Sequence, residues 1–109
     1  MLKDVSAEGT LELIEENAEN PDFVILDVRT PSEFKDGHLE NAENLDYYAD
    51  TFKDELGKLD KNKTYLIYCK TGNRSGKSLK IMDEMGFTKV YNMLGGFKDW
   101  SSKGLPFVK

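Results

Sequence analysis

The sequence predicts an α/β domain with a mostly parallel central sheet of about five strands and helices on both faces. Two short apolar runs, at residues 23–26 and 65–68, have the composition of strands that are buried on both sides. Segments with helical spacing of apolar residues alternate with these runs, which is typical of a parallel sheet. Active sites in such sheets lie at the carboxyl ends of the strands, where Asp27 and Cys69 both fall.

The first half of the chain follows this alternation. A helix is predicted over residues 7–18, because Leu11, Ile14 and Ala18 recur at helical spacing after Ser6, a suitable N-cap. The strand at residues 23–26 comes next. A short helical turn is then predicted at residues 31–34, with Thr30 as its cap and Gly37 as its end.

The second half continues in the same manner. The strand predicted at residues 64–68 leads through a polar loop into a helix that is expected to begin at Ser75 and to end at Gly86. The other elements predicted here are a brief strand around Asn44 and Leu45, a helix near residues 49–56, a strand at Val90 and Tyr91, and a last helix from Gly95-Gly96-Phe97 to about Gly104.

Length and composition limit the classes of protein to consider. With 109 residues, 39% of them hydrophobic and 32% charged, we expect residues 1–109 to form one domain and a monomer. No apolar run is long enough to cross a bilayer, and the first residues do not resemble a signal peptide, so no membrane partner is expected. A single cysteine makes no internal disulfide, which favours a reducing, cytoplasmic setting.

Cys69, the only cysteine, lies between the strand at 64–68 and the loop of residues 70–74. Backbone N–H groups in such a loop, and the positive end of the next helix, stabilise a negative charge. Each unit by which a thiol pKa falls requires about 1.4 kcal/mol of preference for the thiolate. An exposed helix terminus supplies about 0.3–1 kcal/mol, and each charge-assisted hydrogen bond about 1.5–3 kcal/mol. We therefore expect the loop amides to make Cys69 acidic.

The charges favour a small anion as the substrate. The chain carries a formal net charge of −5, yet residues 61–82 contain no acidic side chain. Such asymmetry predicts a cationic mouth, although Lys77 and Lys80 are equally consistent with a solvated helix face. Nucleic acid is not expected as a partner, because the basic stretch is short and its flanks are acidic. The bases in this stretch are Lys61, Lys63, Lys70, Arg74, Lys77 and Lys80.

Five motifs together resemble the rhodanese, or thiosulfate sulfurtransferase, family in order and spacing. The chain looks like a single rhodanese domain over about residues 26–106. In chain order the motifs are Leu26-Asp27-Val28-Arg29-Thr30-Pro31-Ser32-Glu33-Phe34, then Gly37-His38-Leu39 with Ala42, the loop Cys69-Lys70-Thr71-Gly72-Asn73-Arg74-Ser75, Gly95-Gly96-Phe97 with Trp100, and Gly104-Leu105-Pro106.

The resemblance implies a sulfur transfer in two half-reactions. The Cys69 thiolate would take the outer sulfur of thiosulfate or another sulfane donor, become a persulfide, and pass that sulfur to cyanide, a thiol or a partner protein. No metal or cofactor is required. The substrate-binding residues implied are Lys70, Thr71, Gly72, Asn73, Arg74 and Ser75, with Lys70 and Arg74 as candidates for the sulfonate end of the donor.

Other residues in the motifs have structural alternatives. Asp27 and Arg29 could orient the active loop, bind substrate or form a structural ion pair, and the same alternatives apply to Glu33. His38 has no second histidine or cysteine at ligand spacing, so a role in turn packing is expected instead of a zinc site. Phe97 and Trp100 are expected to be core aromatics of the last helix, with an edge of Trp100 as a candidate for the pocket mouth.

Two departures from the family pattern bear on the donor. The usual Pro-Gly-Ala after Gly37-His38-Leu39 is Glu40-Asn41-Ala42, a change in a turn that we interpret as structural. The second residue after the cysteine, which is basic in several thiosulfate-using members, is Thr71, and the base stands one place earlier at Lys70. The second departure weakens the case for thiosulfate as the donor and leaves sulfur transfer itself intact.

Two other functions stay open. A cysteine phosphatase or arsenate reductase has five residues between its cysteine and arginine, in a loop sized for a tetrahedral anion. Here four residues separate Cys69 from Arg74, so a smaller ring suited to one sulfur atom is predicted. The other alternative is a non-catalytic docking or regulatory module. Such rhodanese-like domains commonly lose the cysteine, which this chain keeps.

Overall fold

A five-stranded, fully parallel sheet forms the centre of the protein, as expected. The computed structural model describes residues 1–109, and the strand order across the sheet is β1-β5-β4-β2-β3. The strands are β1 (Leu2–Val5), β2 (Phe23–Asp27), β3 (Glu43–Asn44), β4 (Thr64–Tyr68) and β5 (Lys89–Met93). The helices are α1 (Ala7–Glu16), α2 (Pro31–Asp36), α3 (Phe52–Gly57), α4 (Asn73–Glu84) and α5 (Gly96–Ser102).

Strand β4 lies in the middle of the sheet and is buried on both faces. Tyr65 and Ile67 pack on the face that α3 and α4 cover, whereas Leu66 and Tyr68 pack on the face that α1 and α5 cover. Side chains of a strand alternate between faces, so a strand covered on both sides needs apolar residues at consecutive positions. This explains the unbroken apolar run that precedes Cys69.

Several predicted boundaries shift by a few residues. Helix α1 ends at Glu16 and not at residue 18, and α2 extends to Asp36, with Gly37 as its C-cap. Helix α4 begins at Asn73, two residues before the predicted start, because Gly72 serves as its N-cap in a left-handed conformation. Strand β1 was not predicted.

The turn at Glu40-Asn41-Ala42 places Asn41 in the left-handed region, with a φ of 68°. Asparagine tolerates this conformation better than most residues other than glycine. Asn41, which stands where the family pattern has glycine, therefore suits the left-handed backbone of this turn.

Replacing Asn41 by alanine is expected to lower the free energy of unfolding by about 1 kcal/mol, because alanine is strained at positive φ. Asn41→Gly is the matched control and should be at least as stable as the parent, measured by urea unfolding. Equal stability of the alanine and glycine variants would contradict the importance of this conformation.

None of the five helices has the length and apolar content that a membrane crossing needs.

Candidate active site

Cys69 is the first residue after β4, at the carboxyl end of the sheet. Asp27, the last residue of the neighbouring strand β2, is level with Tyr68 in the parallel register. The two positions therefore lie at the same edge, as predicted. The Cys69 residue is only 1% exposed, and it belongs to the core cluster beneath α4.

The loop after Cys69 turns back over the sulfur atom. Gly72 adopts a φ of 103°, a conformation that favours glycine, and its N–H donates to Cys69 Sγ at 3.0 Å. Ser75, which is buried in the first turn of α4, brings its Oγ to 3.4 Å from the same sulfur. The amides of that first turn have no partners within the helix, so this end of α4 favours a negative charge.

Helix α5 holds the loop through hydrogen bonds to its backbone carbonyls. The N–H of Phe97 donates to the Cys69 carbonyl at 2.8 Å, and the N–H of Lys98 donates to the Lys70 carbonyl at 2.9 Å. In a planar trans peptide the C=O and the next N–H point in opposite directions. The bond to the Lys70 carbonyl therefore turns the Thr71 N–H away from α5, and this N–H is one of the groups that stabilise the Cys69 thiolate.

This support requires the glycine at position 96. A Cβ atom there would lie 2.5 Å from the Cys69 oxygen and from the Lys70 carbonyl atoms, closer than such atoms approach in proteins. Gly95-Gly96 was predicted only as the start of a helix. The glycine pair itself was the signal in the sequence for such a close approach between two backbone segments.

These contacts set the acidity of Cys69. Burial of the sulfur raises the pKa of the thiol, but the Ser75 hydroxyl and the amides of Ser75, Gly72 and Thr71 outweigh burial. The net effect lowers the pKa of Cys69 from its ordinary value. Hydrogen bonds to a thiolate stabilise the charged form, which is the form that acts as a nucleophile.

The remaining loop residues form the outer rim. Three of these residues are exposed and make no side-chain hydrogen bond within the protein: Lys70, Thr71 and Asn73. Their side chains are therefore free for a ligand, and their assignment to substrate binding stays a prediction.

Arg74 is positioned differently from the expectation. Its Nη1 and Nη2 donate to Glu33 Oε1 and Oε2 at 2.8 and 3.0 Å, a forked pair between α4 and α2. The guanidinium also lies over the ring of Tyr48, 5.6 Å from its centroid. Neither partner was predicted, because Glu33 and Tyr48 are distant from Arg74 in the chain. Arg74 is thus at the site, but its charge is already compensated.

The predicted cationic mouth is smaller than the basic stretch in the sequence. Lys61 and Lys63 precede β4, so they lie at the end of the strand opposite Cys69. A five-residue strand spans about 16 Å, which removes both lysines from the site. Lys77 and Lys80 are exposed on α4. Lys70 is the base of this stretch that remains next to Cys69 without a carboxylate partner.

Asp27 and Arg29 form a buried ion pair. Arg29 Nε and Nη2 donate to the Asp27 carboxylate, Nη2 also donates to the Gly37 carbonyl, and the guanidinium lies 4.4 Å from the Phe97 ring centroid. Burial lowers the pKa of Arg29, but the hydrogen bonds and charge of Asp27, together with Tyr68 and Glu33, raise it on balance. The geometry favours the structural alternative, in which the pair fixes the loop after β2 against α5.

The other aromatic motif residues also have structural contacts. The His38 ring stacks on Phe34 at 3.7 Å between centroids, and its Nδ1 is 2.8 Å from the Phe34 carbonyl oxygen. Trp100 is 1% exposed and donates its indole N–H to the Pro106 carbonyl. Both agree with the packing roles expected for them. Trp100 belongs to the core cluster on the α1 and α5 face, whereas Cys69 belongs to the opposite one.

The Glu33–Arg74 pair predicts a contribution to acid stability. The hydrogen bonds from Arg74 lower the pKa of Glu33 to about 2, although partial burial acts in the opposite direction. A lowered pKa gives stability that is complete above the unfolded value of about 4.3 and is lost as the pH falls toward 2. Because the side chain is partly exposed, we expect about 1–2 kcal/mol.

Urea unfolding of the wild type and of Glu33→Gln at several pH values measures this contribution. The difference in unfolding free energy between the two proteins should shrink between about pH 4.5 and pH 2. A difference that does not change with pH would show that the pair contributes nothing through its charge.

Comparisons with known proteins agree with this architecture. The rhodanese-like domain family model matches residues 10–103. A protein named sulfurtransferase from Allochromatium vinosum is 28% identical over 108 residues, which cover 99% of this chain and 96% of that protein. An uncharacterised Bacillus subtilis protein is 34% identical over 79 residues, 72% of this chain and 61% of its own length. The Escherichia coli tRNA uridine(34) hydroxylase is 36% identical over 108 residues, with 88% of this chain and 30% of the hydroxylase covered.

Solved structures show the same fold. A rhodanese-related protein from Thermoplasma volcanium superposes with a TM-score of 0.80 at 25% identity, with 97% of each chain covered. A rhodanese-like domain protein from Staphylococcus aureus gives a TM-score of 0.77 at 31% identity, with 98% of this chain and 99% of that one covered. The family match covers the sheet from β2 to β5 and the Cys69 loop. The chain belongs to the rhodanese-like domain family.

Proposed function

We propose that this chain is a sulfurtransferase that carries a sulfane sulfur as a persulfide on Cys69. The observation that supports the proposal most is the environment of Cys69 Sγ, which accepts a hydrogen bond from the Gly72 N–H at 3.0 Å and lies 3.4 Å from Ser75 Oγ. A thiol whose pKa is lowered by such bonds is a nucleophile without a separate general base. The sulfurtransferase from Allochromatium vinosum, which matches nearly over its whole length, supports the same reaction class.

The first half-reaction moves one sulfur atom. The Cys69 thiolate attacks the outer sulfur of thiosulfate, a new S–S bond forms, and the bond to the sulfonate sulfur breaks. Its electron pair leaves with sulfite, so the products are the Cys69 persulfide anion and sulfite. No oxidant is consumed. The amides of Thr71, Gly72 and Ser75, which already stabilise Cys69 Sγ, would stabilise the outer sulfur as well.

The second half-reaction returns the thiolate. A thiol or cyanide attacks the outer sulfur, and the electron pair of the S–S bond returns to Cys69 Sγ. The extra atom extends the reactive centre by about 2 Å from the nearly unexposed Cys69. The acceptor therefore needs to reach only the mouth of the loop, which suits a small thiol or a cysteine of a partner protein.

Mass spectrometry of the intact protein tests the proposal. After incubation with thiosulfate or an organic thiosulfonate, Cys69 should gain the mass of one sulfur atom and lose it again on addition of cyanide. The absence of this gain with every sulfane donor would favour the docking or regulatory alternative. Hydrolysis of an aryl phosphate without any sulfur transfer would favour a phosphatase. The match to the hydroxylase covers only 30% of that protein, so its named activity is not proposed for this chain.

A further inference from the structure

The charge of Arg74, at the mouth of the Cys69 loop, is balanced by a carboxylate. The forked pair described above occupies both terminal nitrogens of Arg74 with the Glu33 carboxylate. The pair is partly buried, with side-chain exposures of 13% for Arg74 and 28% for Glu33. A guanidinium bound in this manner offers little free charge or donor capacity to a second anion.

A hollow of about 270 Å³ beside the loop has mixed charge as well. Lys70 and Lys98 line it together with Glu33 and Asp36. Arg29 also lines it, but its charge is compensated by Asp27. Glu33 is compensated by Arg74 in the same manner, so the charges that a donor meets in the hollow are those of Asp36, Lys70 and Lys98.

We propose that Glu33 is a specificity-determining residue, which selects against dianionic sulfur donors and favours donors with less negative charge beyond the transferred sulfur. This inference rests on the proposed sulfur transfer. Glu33 acts through Arg74: it neutralises the guanidinium charge and accepts hydrogen bonds from the two terminal nitrogens that would otherwise be available to a sulfonate. The favoured donors are organic thiosulfonates and organic persulfides, which carry one negative charge where thiosulfate carries two.

The transfer is chemically the same for both classes. With an organic thiosulfonate the Cys69 thiolate forms the new S–S bond, the bond between the outer sulfur and the sulfonyl sulfur breaks, and a sulfinate leaves with the electron pair. With thiosulfate the leaving group is sulfite. The two donors therefore differ at the mouth of the loop mainly by one unit of charge, which makes them a suitable pair for comparison.

The variant Glu33→Gln removes the charge and keeps the fold of α2. Thr30 and Glu33 form a capping box, in which glutamine serves as well as glutamate. We expect the ratio of kcat/KM for thiosulfate to kcat/KM for methanethiosulfonate to rise about tenfold in this variant, because the charge of Arg74 is then no longer compensated. The matched control is Glu55→Gln, which removes a carboxylate paired with Lys58 on the exposed surface of α3 and should leave the ratio unchanged.

A second variant changes the ratio in the opposite direction. Arg74→Gln removes the guanidinium and leaves the Glu33 charge uncompensated, so the ratio should fall several-fold. Structural damage alone would lower both rates in both variants and would not move the ratio in opposite directions. Thermal unfolding verifies that each variant is folded.

The possible results distinguish a failure of the role of Glu33 from a failure of the proposed sulfur transfer. Opposite shifts of the ratio in the two variants support the role of Glu33. Turnover by the wild type with an unchanged ratio in Glu33→Gln overturns that role and leaves sulfur transfer in place. The absence of a Cys69 persulfide from both donors in the wild type overturns the proposed function and the inference with it.

Discussion

Replacing Cys69 by serine is expected to abolish sulfur transfer completely. A serine hydroxyl is not ionised near neutral pH and does not form a persulfide, and the chain has no other cysteine to replace it. The measurement is the formation of thiocyanate or of a small-molecule persulfide, together with the mass of the protein after incubation with a donor. Both signals should fall to the level of the protein-free reaction.

The fold should survive this change. Serine is close to cysteine in volume, and its oxygen has the same neighbours, the Gly72 N–H and the Ser75 hydroxyl. We therefore expect the free energy of unfolding to change by no more than about 1 kcal/mol. A variant that loses its fold together with its activity would indicate a structural thiol, and residual transfer would indicate a different nucleophile.

Replacing Gly96 by alanine is expected to have the second largest effect. The new methyl group would lie 2.5 Å from the carbonyl oxygens of Cys69 and Lys70, so the two segments have to separate. The bonds from the amides of Phe97 and Lys98 to these carbonyls would lengthen, and the Thr71 N–H would lose its direction toward the sulfur. Strain at a φ of 61° and overpacking together should cost about 2–4 kcal/mol of stability.

The activity should respond more strongly than the stability. A displacement of about 1 Å at a reacting group reduces rates by about a hundredfold, and the pKa of Cys69 should rise because its hydrogen bonds weaken. The readouts are the rate of persulfide formation and the thiol titration of the folded variant. A rise in the Cys69 pKa separates a displaced loop from general destabilisation.

Gly104→Ala is the matched control for Gly96→Ala. Gly104 has a similar left-handed φ of 72°, but a Cβ atom there would meet nothing within 4 Å. This control should lose about 1 kcal/mol of stability through backbone strain and keep the rate and the thiol pKa of the wild type. If both variants behave alike, the contact between α5 and the Cys69 loop has no role beyond the glycine conformation.

The central part of the molecule was predictable because its signals are local. The run at residues 64–68 matches β4 at both ends, since a strand covered on both faces needs consecutive apolar residues. Thr30 and Gly37 marked α2 through capping chemistry that acts over a few residues. Cys69 was identifiable as the candidate nucleophile because a strand end, a glycine-containing loop and a helix follow one another directly.

The parts that depend on distant partners were not predictable. Strand β1 has only its two end residues partly buried, and it is a strand because it pairs with β5, which lies almost at the other end of the chain. The partner of Arg74 stands 41 residues earlier, at Glu33. Lys61 and Lys63 looked like neighbours of Lys70 in the sequence, but a strand separates them from it. Charged residues that flank a strand are close in the sequence but far apart in space, because the extended strand separates them by its length.

The titration of the single thiol tests the account most directly. Because Cys69 is the only cysteine, the ultraviolet absorbance of the thiolate as a function of pH reports on this group alone, with Cys69→Ser as the blank. The account predicts a midpoint below the value of a free thiol, about 8.5, because the amides of the loop and the Ser75 hydroxyl stabilise the thiolate. A midpoint at or above that value would contradict it.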